Sequence, residues 1–169
     1  MSACSSDTPR KDPAAQPFSD FDLLTVEQSA CLFDCPAFEV SIQSDGLVRH
    51  SGPSFDNTGG PIASRTDRNG LAQIAQALRD AGIDDMRDRY QTAADGCEHA
   101  ISDMSTLYLM VSREQGERIK KVALDIGCIG PHVPTERIHA LIKAIDRVTG
   151  TGALLEQRKR ATTGSKPAS

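Results

Sequence analysis

The sequence has no tryptophan, and its five phenylalanines and two tyrosines make up only 4% of 169 residues. It therefore lacks the aromatic supply for platforms that stack bases or sugars. It has no surplus of positive charge either: 19 Lys and Arg against 23 Asp and Glu leave a net charge of −4. That excludes a nucleic-acid surface built on phosphate neutralisation. Four cations, Arg158, Lys159, Arg160 and Lys166, fall beyond residue 155 beside one acid, Glu156, so the rest balances at 15 minus 22, or −7. No stretch approaches the ~20 consecutive apolar residues of a membrane-spanning helix, and the length excludes two large domains. Catalytic signatures are missing too: there is no Gly-x-Ser-x-Gly elbow, no His-Glu-x-x-His helix and no phosphate-cradling glycine loop. Gly59-Gly60-Pro61 is too short and has no following lysine, so it reads as a plain turn. The expectation is a protein that is not an enzyme and carries no cofactor.

What is present is a hydrophobic period that switches between residues 23 and 155, first two, then about 3.6, then two and 3.6 again. Phe38, Val40 and Ile42 alternate with Glu39, Ser41 and Gln43, and Ser44-Asp45-Gly46 turns the chain into a strand at 47–51. A two-residue loop would set Ile42 opposite Arg49. A three-residue loop with Gly46 left-handed sets Ile42 opposite Val48 and Val40 opposite His50, which keeps the apolar parity. Residues 23–28 read as an earlier strand and 62–65 as a short later one, past a turn-rich segment at 52–61. Leu71, Ile74, Ala75 and Leu78 form one helix face over residues 67–81, with Gly82 at the C-terminal cap position. Residues 84–102 have no clean period and read as a long loop. Leu107, Leu109 and Val111, a charged turn around Gly116, and Val122, Leu124 and Ile126 make a second hairpin. Pro134 opens a last helix with the face Ile138, Leu141, Ile142, Ile145 and Val148, ended by Gly150. The order β-β-(β)-α-β-β-α demands no βαβ crossover. It predicts an α+β domain over residues 21–155, an antiparallel sheet built from two hairpins with two helices packed on one face.

Residues 1–20, rich in Ser, Asp, Pro and Ala, read as a flexible leader, and 156–169 as a disordered basic tail. Within the leader, Met1-Ser2-Ala3-Cys4-Ser5-Ser6-Asp7 resembles the cleavage region of a bacterial lipoprotein signal. No basic or apolar signal region precedes it, so the expectation is a chain cut at the lipobox, with Cys4 the lipidation site and membrane anchor.

The other cysteines are Cys31, Cys35, Cys97 and Cys128, an even number that an exported protein would oxidise. Cys128 continues the inward parity of Val122, Leu124 and Ile126. Folding the hairpin about Gln115 and Gly116 brings it near residue 103, within reach of the loop that holds Cys97. The expected disulfides are thus Cys97 with Cys128 and, by elimination, Cys31 with Cys35. The alternative is a zinc, copper or thiol-redox site on Cys31, Cys35, Cys97, His99, Cys128 and His132, although none of the spacings is the C-x-x-C of structural zinc. The run Cys31 to Pro36 also looks like the motif of thioredoxin-like copper-delivery proteins, but it leads into a strand where theirs sits at a strand-to-helix turn. Of the other histidines, His50 is expected to pack beside Val40, and His139 to lie at the margin of the last helix's apolar face. The acidic pairs Asp84-Asp85 and Asp95-Glu98 read as solvated.

The run Cys31-Leu-Phe-Asp-Cys35-Pro36-Ala-Phe38, its alternating strand, Asp45-Gly46, and the second strand through His50 to Gly52 together resemble a known signature. It is the opening of a bacterial lipoprotein family known as domain of unknown function 6438: Cys-Phe-Gly-x-Cys-Pro-x-Tyr, a strand, Asp-Gly, and a strand ending in an aromatic and Gly. Leu32-Phe33-Asp34 departs from the Phe-Gly pair, Phe38 stands for Tyr, and His50 stands where an aromatic is common. The resemblance extends over most of residues 23–150. It implies a small α+β domain and an exported, lipid-anchored location, and it supplies no catalytic residue. The resulting expectation is a periplasmic, membrane-anchored, non-catalytic module that binds a protein partner in the cell envelope, an immunity-type inhibitor of a secreted toxin being one concrete version. A metal-binding or thiol-redox module is the alternative.

Overall fold

Strand positions follow the alternating segments in the computed structural model, which describes residue 18 and residues 20–163. The first half holds β1 (Leu23–Gln28), β2 (Phe38–Gln43), β3 (Leu47–Ser51), a one-turn helix α1 (Pro53–Asp56), β4 (Ile62–Arg65) and α2 (Arg68–Ala81). The second holds β5 (Arg89–Tyr90), β6 (His99–Ala100), β7 (Thr106–Arg113), β8 (Arg118–Asp125), β9 (Cys128–Ile129), α3 (Thr135–Thr149) and α4 (Thr151–Thr163). The main sheet runs β4-β3-β2-β1-β7-β8-β5, and β6 with β9 forms a separate ribbon. Every pairing in the main sheet is antiparallel except the two-residue β5 beside β8. The architecture is α+β, with β1 joining the β2–β3 hairpin to the β7–β8 hairpin.

The first hairpin has the register that apolar parity demands, Val40 opposite His50 and Ile42 opposite Val48. Gly46 takes φ 86°, and a Cβ there would stand 2.3 Å from the Thr66 carbonyl oxygen, so only glycine closes this turn. Inward residues of the sheet, Val26, Val40, Ile42, Leu109, Val111 and Leu124, are buried against Leu71, Ile74 and Leu78 of α2 and Ile138, Leu141 and Ile145 of α3. The N-terminus of α2 is capped by the Asp67 carboxylate, which accepts from the Gly70 N–H at 2.8 Å. Its C-terminus turns at Gly82, left-handed with φ 64°.

Three segments differ from the sequence reading. Residues 84–102 are no bare loop: they hold β5, β6 and a 3-10 turn at Ala93–Asp95, and Met86, Tyr90 and Cys97 anchor them in the core. Pairing this short gives no periodicity to read. The turn-rich stretch after Gly52 contains α1, which drops Phe55 fully into the core. The basic segment from Glu156, expected to be disordered, is helical as far as Thr163 within α4. Leu154 and Leu155, earlier in α4, pack on the core, and the rest of the helix is rich in residues of high helix propensity. At the other end, Phe18 packs edge-on against Phe21 and Asp20 pairs with Arg79 at 2.6 Å. Cys4 and the remainder of the expected leader lie outside the described residues.

Candidate functional site

Cys31, Cys35, Cys97 and Cys128, with His99 and His132, lie on the segments at one end of the sheet, where β1 leaves, β2 enters, β7 enters and β8 leaves. Backbone bonds tie these crossings together. Ser29 N–H donates to the Thr106 carbonyl at 3.0 Å and Leu32 N–H to the Asp103 carbonyl at 3.2 Å. Thr106 N–H in turn donates to the Ser29 hydroxyl at 2.9 Å. Cys31 and Cys35 form one disulfide across a three-residue loop, and Cys97 and Cys128 form the other at a Cα separation of 5.1 Å. The first is half-exposed and the second buried. Beside the second, Ile101 N–H bonds the Gly127 carbonyl at 2.9 Å. The chains approach so closely that a Cβ on Gly127 would lie 2.2 Å from the Ile101 carbonyl oxygen.

The four cysteines among the described residues are all in disulfides, so none of them is a thiolate free to ligate an ion. His99 and His132 are exposed, and among the described residues no group of three His, Cys, Asp or Glu side chains stands close enough to hold a metal. The alternative ligand set of Cys31, Cys35, Cys97, His99, Cys128 and His132 is therefore not brought together.

The same end instead displays apolar surface. Leu32 is 72% exposed, Phe33 74%, Ile101 54% and Ile129 49%. Leu32 and Phe33 form the tip of the Cys31–Cys35 loop, which meets the 101–103 segment through the Leu32 to Asp103 bond. Exposed acids surround them: Glu98, Asp103, and Asp34, whose carboxylate accepts from the Lys159 ammonium of α4 and raises that lysine's pKa. An open groove of about 700 Å³ runs from Ile126 to Arg137 along the β9 side and includes His132.

Two features go beyond the sequence reading. The first is a cavity of about 770 Å³ on the sheet face opposite the helices, floored by Glu27, Glu39, Tyr108 and Met110 and bounded by residues 87–95. That wall is stiffened by Asp95. The Thr92 hydroxyl, followed by the Gln91 N–H and Arg89, hydrogen-bonds its carboxylate and holds it below the usual range. The second is the fully buried His50, whose Nε2 meets the Thr151 hydroxyl at 3.0 Å while Nδ1 has no hydrogen-bond partner. Thr151 is joined to Thr149 at 2.7 Å, linking the end of α3 and the start of α4 to the sheet. Burial pushes the His50 pKa down, opposed by the Asp146 carboxylate. Strand parity revealed that His50 points inward; its partner, 101 residues later, left no local signal.

A family model described as Domain of unknown function (DUF6438) matches residues 22–149. The chain belongs to that family. The DUF6438 region takes in the whole sheet, α2, α3 and both disulfides, and stops short of α4. No curated protein matches the chain.

Proposed function

We propose that this DUF6438 protein is an exported, lipid-anchored, non-catalytic module that docks a protein of the cell envelope on the disulfide-stapled end of its sheet. The observation that carries the reading is the outward display of Leu32, Phe33, Ile101 and Ile129 on loops tied by Cys31–Cys35 and Cys97–Cys128. Large apolar side chains grouped on a surface mark interaction sites, and stapled loops lose little conformational entropy on binding. The exposed Glu98 and Asp103 beside them favour a partner with an apolar pocket and a basic rim. The same acids repel anionic headgroups, which speaks against insertion of this tip into a bilayer. Disulfides suit an oxidising compartment. The Met1-Ser2-Ala3-Cys4 run supports membrane attachment through a lipid on Cys4. A secreted toxin held by an immunity-type inhibitor is the version favoured by small size, acidity and the lack of catalytic motifs.

The test is capture from envelope extracts by the wild-type protein, by L32D/F33D and by I129D, with a helix-face control, A153D. A stoichiometric partner that is retained by wild type and A153D and lost by both tip variants is the expected result. Retention by the tip variants, or no partner under conditions that keep known weak complexes, would overturn the proposal.

A further inference from the structure

The solvent-facing side of the main sheet carries a charge pattern that the described residues do not neutralise. Glu39 lies directly opposite Glu27, which lies opposite Tyr108, which lies opposite Ala123. Like charges facing each other across strands destabilise a sheet. Yet neither carboxylate has an ion-pair partner among the described residues, and neither has Lys121 on β8. Among the described residues, the Arg87 guanidinium, on the wall beyond β8, donates to the Asp95 carbonyl at 3.2 Å and to no carboxylate. One side of the 770 Å³ cavity is therefore acidic, at Glu27 and Glu39 on β1 and β2. The other carries Lys121 and Arg87 beside Asp88 and Asp95, whose charges are taken up by Lys120 and Arg89, with Tyr108, Met110 and Ala123 between the two sides.

We infer that this face is self-complementary and pairs with the same face of a second copy of the chain. A twofold axis along the strands, midway between β1 and β7, lays β1–β2 of each copy over β7–β8 of the other. That is the isologous arrangement in which one patch serves both sides. Glu27 and Glu39 of each copy then meet the Lys121 and Arg87 side of the other, twice, with the two Tyr108 rings and Met110 side chains near the axis. Four strands at ~4.8 Å and about five residues at ~3.4 Å give a footprint of roughly 330 Å² per copy. Twice that area is below the ~1,000 Å² total of a stable interface, so the dimer is weak, transient and sensitive to salt.

Sedimentation equilibrium tests this with the chain alone. In low salt the wild-type mass rises with concentration from 18.1 kDa toward twice that value, and it returns to the monomer in ~0.5 M salt, where charges are screened within about 4 Å. E27K/E39K and R87E/K121E are each monomeric at the same concentration, and an equimolar mixture of the two regains the dimer mass as a heterodimer. A wild-type protein that stays monomeric at millimolar concentration in low salt overturns the inference without any variant. So does dimerisation by either charge-reversed variant alone as strong as that of wild type.

Discussion

His50 is the side chain whose position most exceeds what its type suggests. A fully buried imidazole with one nitrogen bonded to Thr151 and the other unpartnered is tolerable only while neutral, because a proton on it would add a charge in a site already short of acceptors. Burial holds its pKa below the ordinary 6.5, against the pull of Asp146. Between that lowered value and 6.5 the unfolded chain binds a proton that the folded chain refuses. Stability is thus complete above pH 6.5 and declines as pH falls through that window. Urea titrations at closely spaced pH values should show the decline in wild type and a flatter profile in H50Q, which forms no cation. An identical slope in H50Q would assign the effect to other groups. The cap of α2 gives a second residue-scale expectation. D67A removes the acceptor of the Gly70 N–H and should cost about 1 kcal/mol of unfolding free energy.

The two disulfides differ as elements in what they hold. Cys97 and Cys128 are 31 residues apart, Cys31 and Cys35 only four. Loop-closure entropy assigns about 3.7 kcal/mol to the former and roughly 2 to the latter. C97S/C128S should therefore lower denaturant stability more than C31S/C35S and free the 84–102 segment, which proteolysis would detect as new cleavage there. The half-exposed Cys31–Cys35 bond should also be the first reduced by mild thiol. A larger loss for C31S/C35S would mean that the short bridge supports packing beyond its own loop.

Elements that announce themselves locally were legible in the sequence. β2 and β3, β7 and β8, α2 and α3 each carry several turns or repeats of one period, and parity alone fixed Val40 opposite His50 and placed Cys128 within reach of Cys97. What escaped was short or tertiary. β5 and β6 are two residues each, α1 is four, and α4 reads as polar because only Leu154 and Leu155 of its apolar residues touch the core. The candidate surface was legible in its disulfides and not in its exposure, since nothing in Leu32-Phe33 says that the loop points them outward. Among the described residues, the sulfurs that suggest metal ligands are paired with each other.

For the molecule as a whole, the question is how far α4 is a part of the domain. The DUF6438 match ends at residue 149, and everything that makes the sheet and its helical cover precedes Gly150. The bonds that attach α4 include Thr151 to His50 and Thr149, the Gly152 N–H to the Asp146 carboxylate, the Arg158 guanidinium to the carbonyls of Thr58 and Gly60, and Lys159 to Asp34. The apolar contribution of α4 is the half-buried Leu154 and Leu155, worth together about 2 kcal/mol. A chain ended after Gly150 should consequently fold, keep both disulfides, and lose roughly that amount of stability at pH 7.5. It should also lose its acid sensitivity. Without Thr151 and the helix above it, the His50 ring regains water, its pKa returns toward the unfolded value, and the difference in proton uptake that drives the slope disappears. Urea unfolding of the full and shortened chains at pH 7.5 and 5.5 separates the outcomes. Equal pH slopes would show that the strand side, not α4, keeps His50 dry, and a shortened chain that does not fold would make α4 part of the domain's indispensable core.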